Sequence, residues 1–186
     1  MNTIMLTADR DDRIIAGFAA LAIVIHVLEA GFPSPIPGVK PGLANVVTLI
    51  VLLRHGLRSA LWVALLRVIV GSLLVGSFMT PGFWLSASGA AGSLTVLAAA
   101  SIWNRALPGW GLSAVGLSVL SALAHMSLQF FTAYTVFVPH SGLLRLLPPL
   151  MTAALAFGVA TGIAASAVLQ RLSEADAAAQ TPHSEG

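Results

Sequence analysis

The sequence predicts an all-α, polytopic integral membrane protein with six transmembrane helices. Of its 186 residues, 57% are hydrophobic and only 9% are charged, whereas soluble globular domains carry about 25% charged residues. The apolar residues also come in long runs, and about 20 apolar residues are enough for one helix to cross a bilayer. So few charges cannot cover the surface of a soluble fold, so we expect the lipid bilayer to surround this chain.

The composition also limits the classes of function. The chain has no cysteine, which removes thiolate-bound zinc and iron–sulfur clusters. Its net charge is only +2, so the high pI does not indicate a nucleic-acid binder. It has no G-x-x-x-x-G-K-[ST] phosphate loop, and a magnesium-diphosphate enzyme would need more carboxylates near its spans. We expect no catalytic residue, metal site or cofactor, and an enzymatic activity stays open but is not favoured.

Polar residues and turn signals divide the apolar sequence into spans. A polar tail, residues 1–13, precedes the first span, and the second is short and closed by Arg54 and Arg58. Pro81 and Pro139 mark the ends of the third and fifth spans. The predicted spans are residues 14–28, 43–53, 59–78, 83–103, 112–138 and 148–169, within a membrane domain over residues 14–170. Residues 171–186 are small and polar, which predicts a disordered tail.

A proline-rich loop over residues 31–42 separates the first two spans. Its prolines are Pro33, Pro35, Pro37 and Pro41. Proline fixes φ, has no N–H donor and disfavours the helical region for the residue before it. Irregular backbone beside a bilayer is tolerated where protein or water covers its polar groups. The loop is therefore a candidate lining or lid for a site.

The distribution of Lys and Arg predicts the orientation. With the N-terminus inside, the cytoplasmic side holds Arg10, Arg13, Arg54, Arg58, Arg105 and Arg171, and the outer side holds Lys40 and Arg145. Both termini are therefore expected in the cytoplasm, and the proline-rich loop is expected outside.

Ionisable residues within the spans are the first candidates for a site. Arg67 lies in the third span with no acidic residue on its own helix, and Glu29 is the carboxylate available near a span. A charge at membrane depth is costly unless it is paired or faces the protein interior. One interpretation is a structural pair of Arg67 and Glu29, or an Arg67 that extends to the inner surface. The alternative is an anion site made by Arg67, Lys40 and the free N–H groups of a helix that begins at Gly42.

The fifth span has one polar face. Ser118, Ser121, His125, Gln129 and Thr132 share it at helical spacing. Hydrogen bonds between helices would explain the serines and the threonine. His125 and Gln129, one turn apart, call for a partner or a ligand.

Small residues at four-residue spacing predict close helix packing. On the sixth span they are Ala154, Gly158, Gly162 and Ser166. Ala16 and Ala20 form a similar pair on the first span. That pair has two interpretations, which are packing within the bundle and a docking face for a helix of a partner.

Four segments, in order, resemble the bacterial Gx transporter family, which also carries the name heptaprenyl diphosphate synthase component I. They are PGVKPGLANVVTL (37–49), RVIVGSLLVG (67–76), SASGAAGSL (86–94) and SVLSALAHMSLQ (118–129). This family is similar to the S components of energy-coupling factor transporters. The resemblance implies an S-component-like bundle of six helices with a site near the outer surface that the first loop closes. It also implies that Ala16 and Ala20 dock a coupling subunit.

The expected function is the substrate-binding subunit of an uptake transporter for a small, vitamin- or precursor-like molecule. Separate partners, a transmembrane coupling protein and ATPase subunits, would energise it in a bacterial cytoplasmic (inner) membrane. The expected ligand, anionic or amphipathic, would contact Glu29, Lys40, Asn45, Arg67, His125 and Gln129. The alternatives are a membrane accessory subunit in isoprenoid or quinone biosynthesis and a scaffold with no ligand.

Overall fold

The computed structural model describes residues 9–31, 43–106 and 111–180, and almost all of these residues are helical. The elements are α1 (Arg10–Gly31), α2 (Leu43–His55), α3 (Leu57–Val75), α4 (Pro81–Ala106), α5 (Ala114–Thr132), a π-helical turn (Ala133–Phe137), α6 (Ser141–Leu144) and α7 (Leu147–Gln180). The predicted proline-rich loop lies outside the described residues except for Gly31, and so does Lys40.

Five helical segments in the described part are long and apolar enough to cross a membrane. The segments are α1, α3, α4, α5 with its π-helical turn, and α6 with α7. Helix α2 has 13 residues, or about 20 Å, so it is shorter than the roughly 30 Å of a bilayer's hydrocarbon layer. It corresponds to the short second span that the sequence predicts. The predicted fold class is confirmed, and the protein is an all-helical, multi-pass membrane protein.

Local sequence sets the helix ends. At the end of α3, Gly76 has a φ of 73° and its N–H donates to Leu73, while Ser77 N–H donates to Ser72 O at 2.8 Å. This is a Schellman cap, in which glycine takes the left-handed conformation without a Cβ penalty. Pro81 then begins α4, where the missing N–H costs nothing.

Helix α7 is longer than the sixth predicted span. The composition of the sequence predicts a disordered tail from Arg171, whereas α7 continues as a helix through Gln180. Alanine has the highest helix propensity, and the segment after Glu174 is rich in it. An ion pair between Arg54 at the end of α2 and Asp176 also holds this extension. At 34 residues, α7 is about 51 Å long.

Helix α5 packs against α4 on one side and α7 on the other. Glycines allow both approaches. A Cβ atom on Gly92 of α4 would stand 2.7 Å from Ala124 O, and one on Gly162 of α7 would stand 2.7 Å from Val115 Cα. Gly158 and Gly162, two of the small residues that the sequence singles out on the sixth span, therefore lie at close backbone contacts.

A second group consists of α1, α2 and α3, which pack on one another. Contacts of α3 with α4 and of α2 with α5 and α7 join the two groups. Large apolar side chains are exposed around the outside, among them Leu28, Leu74 and Ile102. Exposed apolar side chains of this kind are suited to contact with lipid. Several polar side chains of both groups line a common space between them.

Candidate functional site

A cavity of about 230 Å³ lies between the helices and is lined by residues of α1, α2, α3, α4, α5 and α7. Its polar lining includes Glu29 of α1, Asn45 of α2, Arg67 of α3, and His125 and Gln129 of α5. These are five of the six residues that the sequence analysis expects to bind a ligand. The sixth, Lys40, lies outside the described residues. A cavity with a few convergent polar groups is the usual form of a small-molecule site.

Arg67 is the cationic residue of this lining. Its side chain is 7% exposed, and its Nη1 donates to Asn45 Oδ1 at 2.8 Å. The carboxylate of Glu29, also 7% exposed, interacts with it electrostatically. The Nε atom of Arg67 is buried and has no hydrogen-bond partner. This electrostatic interaction leaves the Nε–H donor of the guanidinium without a hydrogen-bond partner.

His125 lines the same cavity from α5. Gln129 lies one helical turn along on the same helix, and Arg67 lies within electrostatic range. The Nδ1 atom of His125 is buried without a hydrogen-bond partner. The opposite edge of the ring rests on Gly89 of α4, where a Cβ would stand 2.7 Å from Cδ2. Both unpartnered nitrogens therefore belong to residues that line one cavity.

Some lining residues are not predicted from the sequence as part of a site. His26 and Ser86 line the cavity, and so does Thr161, which is hydrogen-bonded to Ser118 at 2.8 Å across the interface of α5 and α7. The sequence offers a signal for His26, because it lies three residues before Glu29 on one helix face. It offers none for Ser86 or Thr161, since serine and threonine are common on packed membrane helices.

A second concavity, about 390 Å³, lies between α3 and α4. Its lining is apolar except for Arg58, and it includes Trp62, Leu65 and Leu94. These three side chains offer little to orient a polar molecule, since only the indole N–H can hydrogen-bond. The polar cavity is therefore the candidate ligand site. Among the described residues there is no group of three or more His, Asp or Glu side chains placed to hold a metal ion.

Ala16 and Ala20 lie away from the cavity. Both are exposed on α1, together with Gly17, whereas Ala19 and Ala22 are buried. The face that carries the two alanines is therefore turned outward, and the adjacent face packs into the bundle. Small residues on an outward face leave room for the backbone of another helix.

The fold and the cavity together define a multi-pass helical membrane protein with a buried polar site. The profile of a family described as heptaprenyl diphosphate synthase component I matches residues 18–168. This match covers most of the chain, so the protein belongs to that family, as the sequence resemblance indicates. No curated protein and no solved structure matches the chain.

Proposed function

We propose that this protein is the substrate-binding membrane subunit of a small-molecule uptake transporter. The main support for this proposal is the cavity between the helices. Its lining includes Arg67, Asn45, Glu29, His125 and Gln129. Such residues are costly within a membrane and mark ligand or ion pathways. Uptake requires work that this chain has no phosphate-binding motif to perform, so separate subunits supply ATP hydrolysis.

The outward face at Ala16 and Ala20 supports the part of this proposal in which partner subunits bind the chain. A transmembrane coupling protein would pack a helix on these alanines, and ATPase subunits would bind that protein from the cytoplasm. In this arrangement the chain lies in a bacterial cytoplasmic membrane with both termini inside, and the ligand enters from the outer side.

Recovery of partners from native membranes tests the proposal. The tagged chain is purified in mild detergent, and the proteins that accompany it are identified by mass spectrometry. We expect a helical coupling protein and P-loop ATPases, and we expect Ala16→Leu or Ala20→Leu to abolish their recovery. Ala164→Leu is the matched control, because Ala164 is an exposed alanine on α7. Loss of the partners in the control as well would contradict docking at α1.

The family description favours one second candidate, a membrane accessory subunit in isoprenoid or quinone biosynthesis. This subunit would bind a polyprenyl diphosphate or anchor a soluble synthase. The same purification separates the two functions. Recovery of a prenyl transferase without ATPases would support the biosynthetic subunit and would contradict the transporter.

A further inference from the structure

The charges in the described lining of the cavity balance. Glu29 carries the negative charge and Arg67 the positive one, and both side chains are buried. With the histidines neutral, this part of the lining has no net charge. An anionic ligand would place an uncompensated negative charge beside Glu29 in a poorly solvated space, which is costly.

The hydrogen-bonding atoms of the lining that have no partner indicate which groups a ligand would supply. Arg67 Nε always donates, because guanidinium carries five N–H donors and no acceptor. His125 Nδ1 donates or accepts, according to which ring nitrogen carries the proton. Both atoms are buried without partners, and a buried polar group that stays unpaired lowers stability. A ligand group that has an acceptor and a donor on one edge can pair with both Arg67 Nε and His125 Nδ1, whichever ring nitrogen of the histidine carries the proton.

We infer that the ligand is an uncharged molecule with an amide or cyclic amide edge, held between Arg67 and His125. This inference deepens the proposed function and rests on it for the role of the cavity. The amide oxygen accepts from Arg67 Nε, and the amide N–H or the second lone pair of the oxygen meets His125 Nδ1. A carboxylate offers acceptors only, and it also upsets the charge balance.

The remaining lining suits the rest of such a molecule. Leu49, Val68, Leu85 and Phe157 contribute apolar surface to the same cavity. A volume of about 230 Å³ limits the enclosed part of the ligand to a small molecule. An aromatic or aliphatic ring that carries the amide would place its polar edge at Arg67 and its body on the apolar side chains.

Benzamide and benzoate form a matched pair of probes, since they have nearly the same shape and differ in charge. Their binding to the purified full-length protein in detergent can be measured by ligand-observed NMR titration. We expect benzamide to bind about tenfold more tightly than benzoate or better. Tighter binding of benzoate, equal binding of the two, or no binding of benzamide would each overturn the inference.

Two variants test the physical reasons separately. Glu29→Gln removes the negative charge and leaves Arg67 uncompensated, so the preference should reverse towards benzoate. Arg67→Lys keeps the charge but removes the Nε–H group, so benzamide should weaken by about fivefold or more. Arg58→Gln is the control, because Arg58 lines the other concavity, and it should leave both affinities unchanged. A Glu29→Gln protein that is folded and still prefers benzamide would contradict the charge argument.

Failure of this inference can be distinguished from failure of the proposed function. A preference for benzamide without recovery of a coupling protein and ATPases would retain the ligand class and reject the transporter. Recovery of those partners together with a preference for benzoate would retain the transporter and replace the amide with an anion. Lys40 would then be the first residue to substitute.

Discussion

A single glycine determines where the imidazole of His125 can lie. A Cβ atom on Gly89 would stand 2.7 Å from both Cδ2 and Cε1 of the ring, which is closer than real Cβ atoms approach other atoms. The Nε2 edge of the ring therefore faces the backbone of α4, and Nδ1 lies on the opposite side of the ring. The position of the site's histidine depends as much on α4 as on α5.

Substitution Gly89→Ala should therefore impair ligand binding more than stability. The added methyl group forces the ring to rotate, and a rotated ring no longer presents Nδ1 to the ligand. We expect benzamide to bind about tenfold more weakly, since one hydrogen bond is lost. The titration of the purified variant measures this change.

Gly17→Ala is the control for this substitution, because nothing lies within 4 Å of a Cβ at Gly17. It should leave benzamide affinity at the level of the unsubstituted protein. An unchanged affinity in Gly89→Ala would show that the histidine does not contact the ligand.

The sequence predicts some residues of this cavity better than others, for physical reasons. Arg67 stands out because a charge within an apolar span needs a partner, and His125 and Gln129 stand out through their spacing on one helix. Thr161 does not, because which face of α7 meets α5 is decided by tertiary packing.

Among the helices, the contact between α5 and α7 tolerates little change. At Gly158 and Gly162, a Cβ would stand 2.9 Å from Val119 Cα and 2.7 Å from Val115 Cα. These are backbone atoms, which cannot rotate away as a side chain does. An added methyl group must push the two helices apart.

Gly162→Ala should therefore destabilise the protein by about 1–3 kcal/mol, the usual cost of an overpacked core. The free energy of unfolding in mixed detergent and SDS micelles measures this cost. Gly17→Ala should be neutral or slightly stabilising, because alanine favours a helix more than glycine does. Equal stability of the two variants would mean that α5 and α7 are not packed through this glycine.

The end of α7 is a helix that its local composition does not predict. Residues after Arg171 lack an apolar face, and by themselves they have no reason to fold. They continue a helix that is already formed, so no new helix has to be nucleated. The contact between Asp176 and Arg54 joins residues 122 positions apart, and such a pairing cannot be found without the fold.

For the whole molecule, the cavity lies where two groups of helices meet. One group is α1, α2 and α3, and the other is α4, α5 and α7. The charged lining comes from α1 and α3, whereas His125 and Gln129 come from α5. A movement of one group relative to the other would therefore change the distance between Arg67 Nε and His125 Nδ1.

The orientation of the molecule is a prediction that reporter fusions can check. Green fluorescent protein joined to either terminus should fluoresce, because it folds in the cytoplasm. The same protein does not become fluorescent when it is exported across the membrane in unfolded form. Alkaline phosphatase at the same positions should be inactive, because it needs an oxidising compartment to form its disulfides. Active phosphatase at either terminus would contradict the arginine count on which the orientation rests.

The length of α7 also makes a change in its tilt measurable with spin labels. The helix exceeds a bilayer's hydrocarbon layer by about 20 Å. A tilt of α7 would therefore displace its C-terminal end more than the part within the membrane. Because the chain has no cysteine, a thiol introduced at the exposed Ala177 would direct a spin label to that position. A second label at the end of α2 would then report, as a change in distance, any tilt of α7 that accompanies ligand binding.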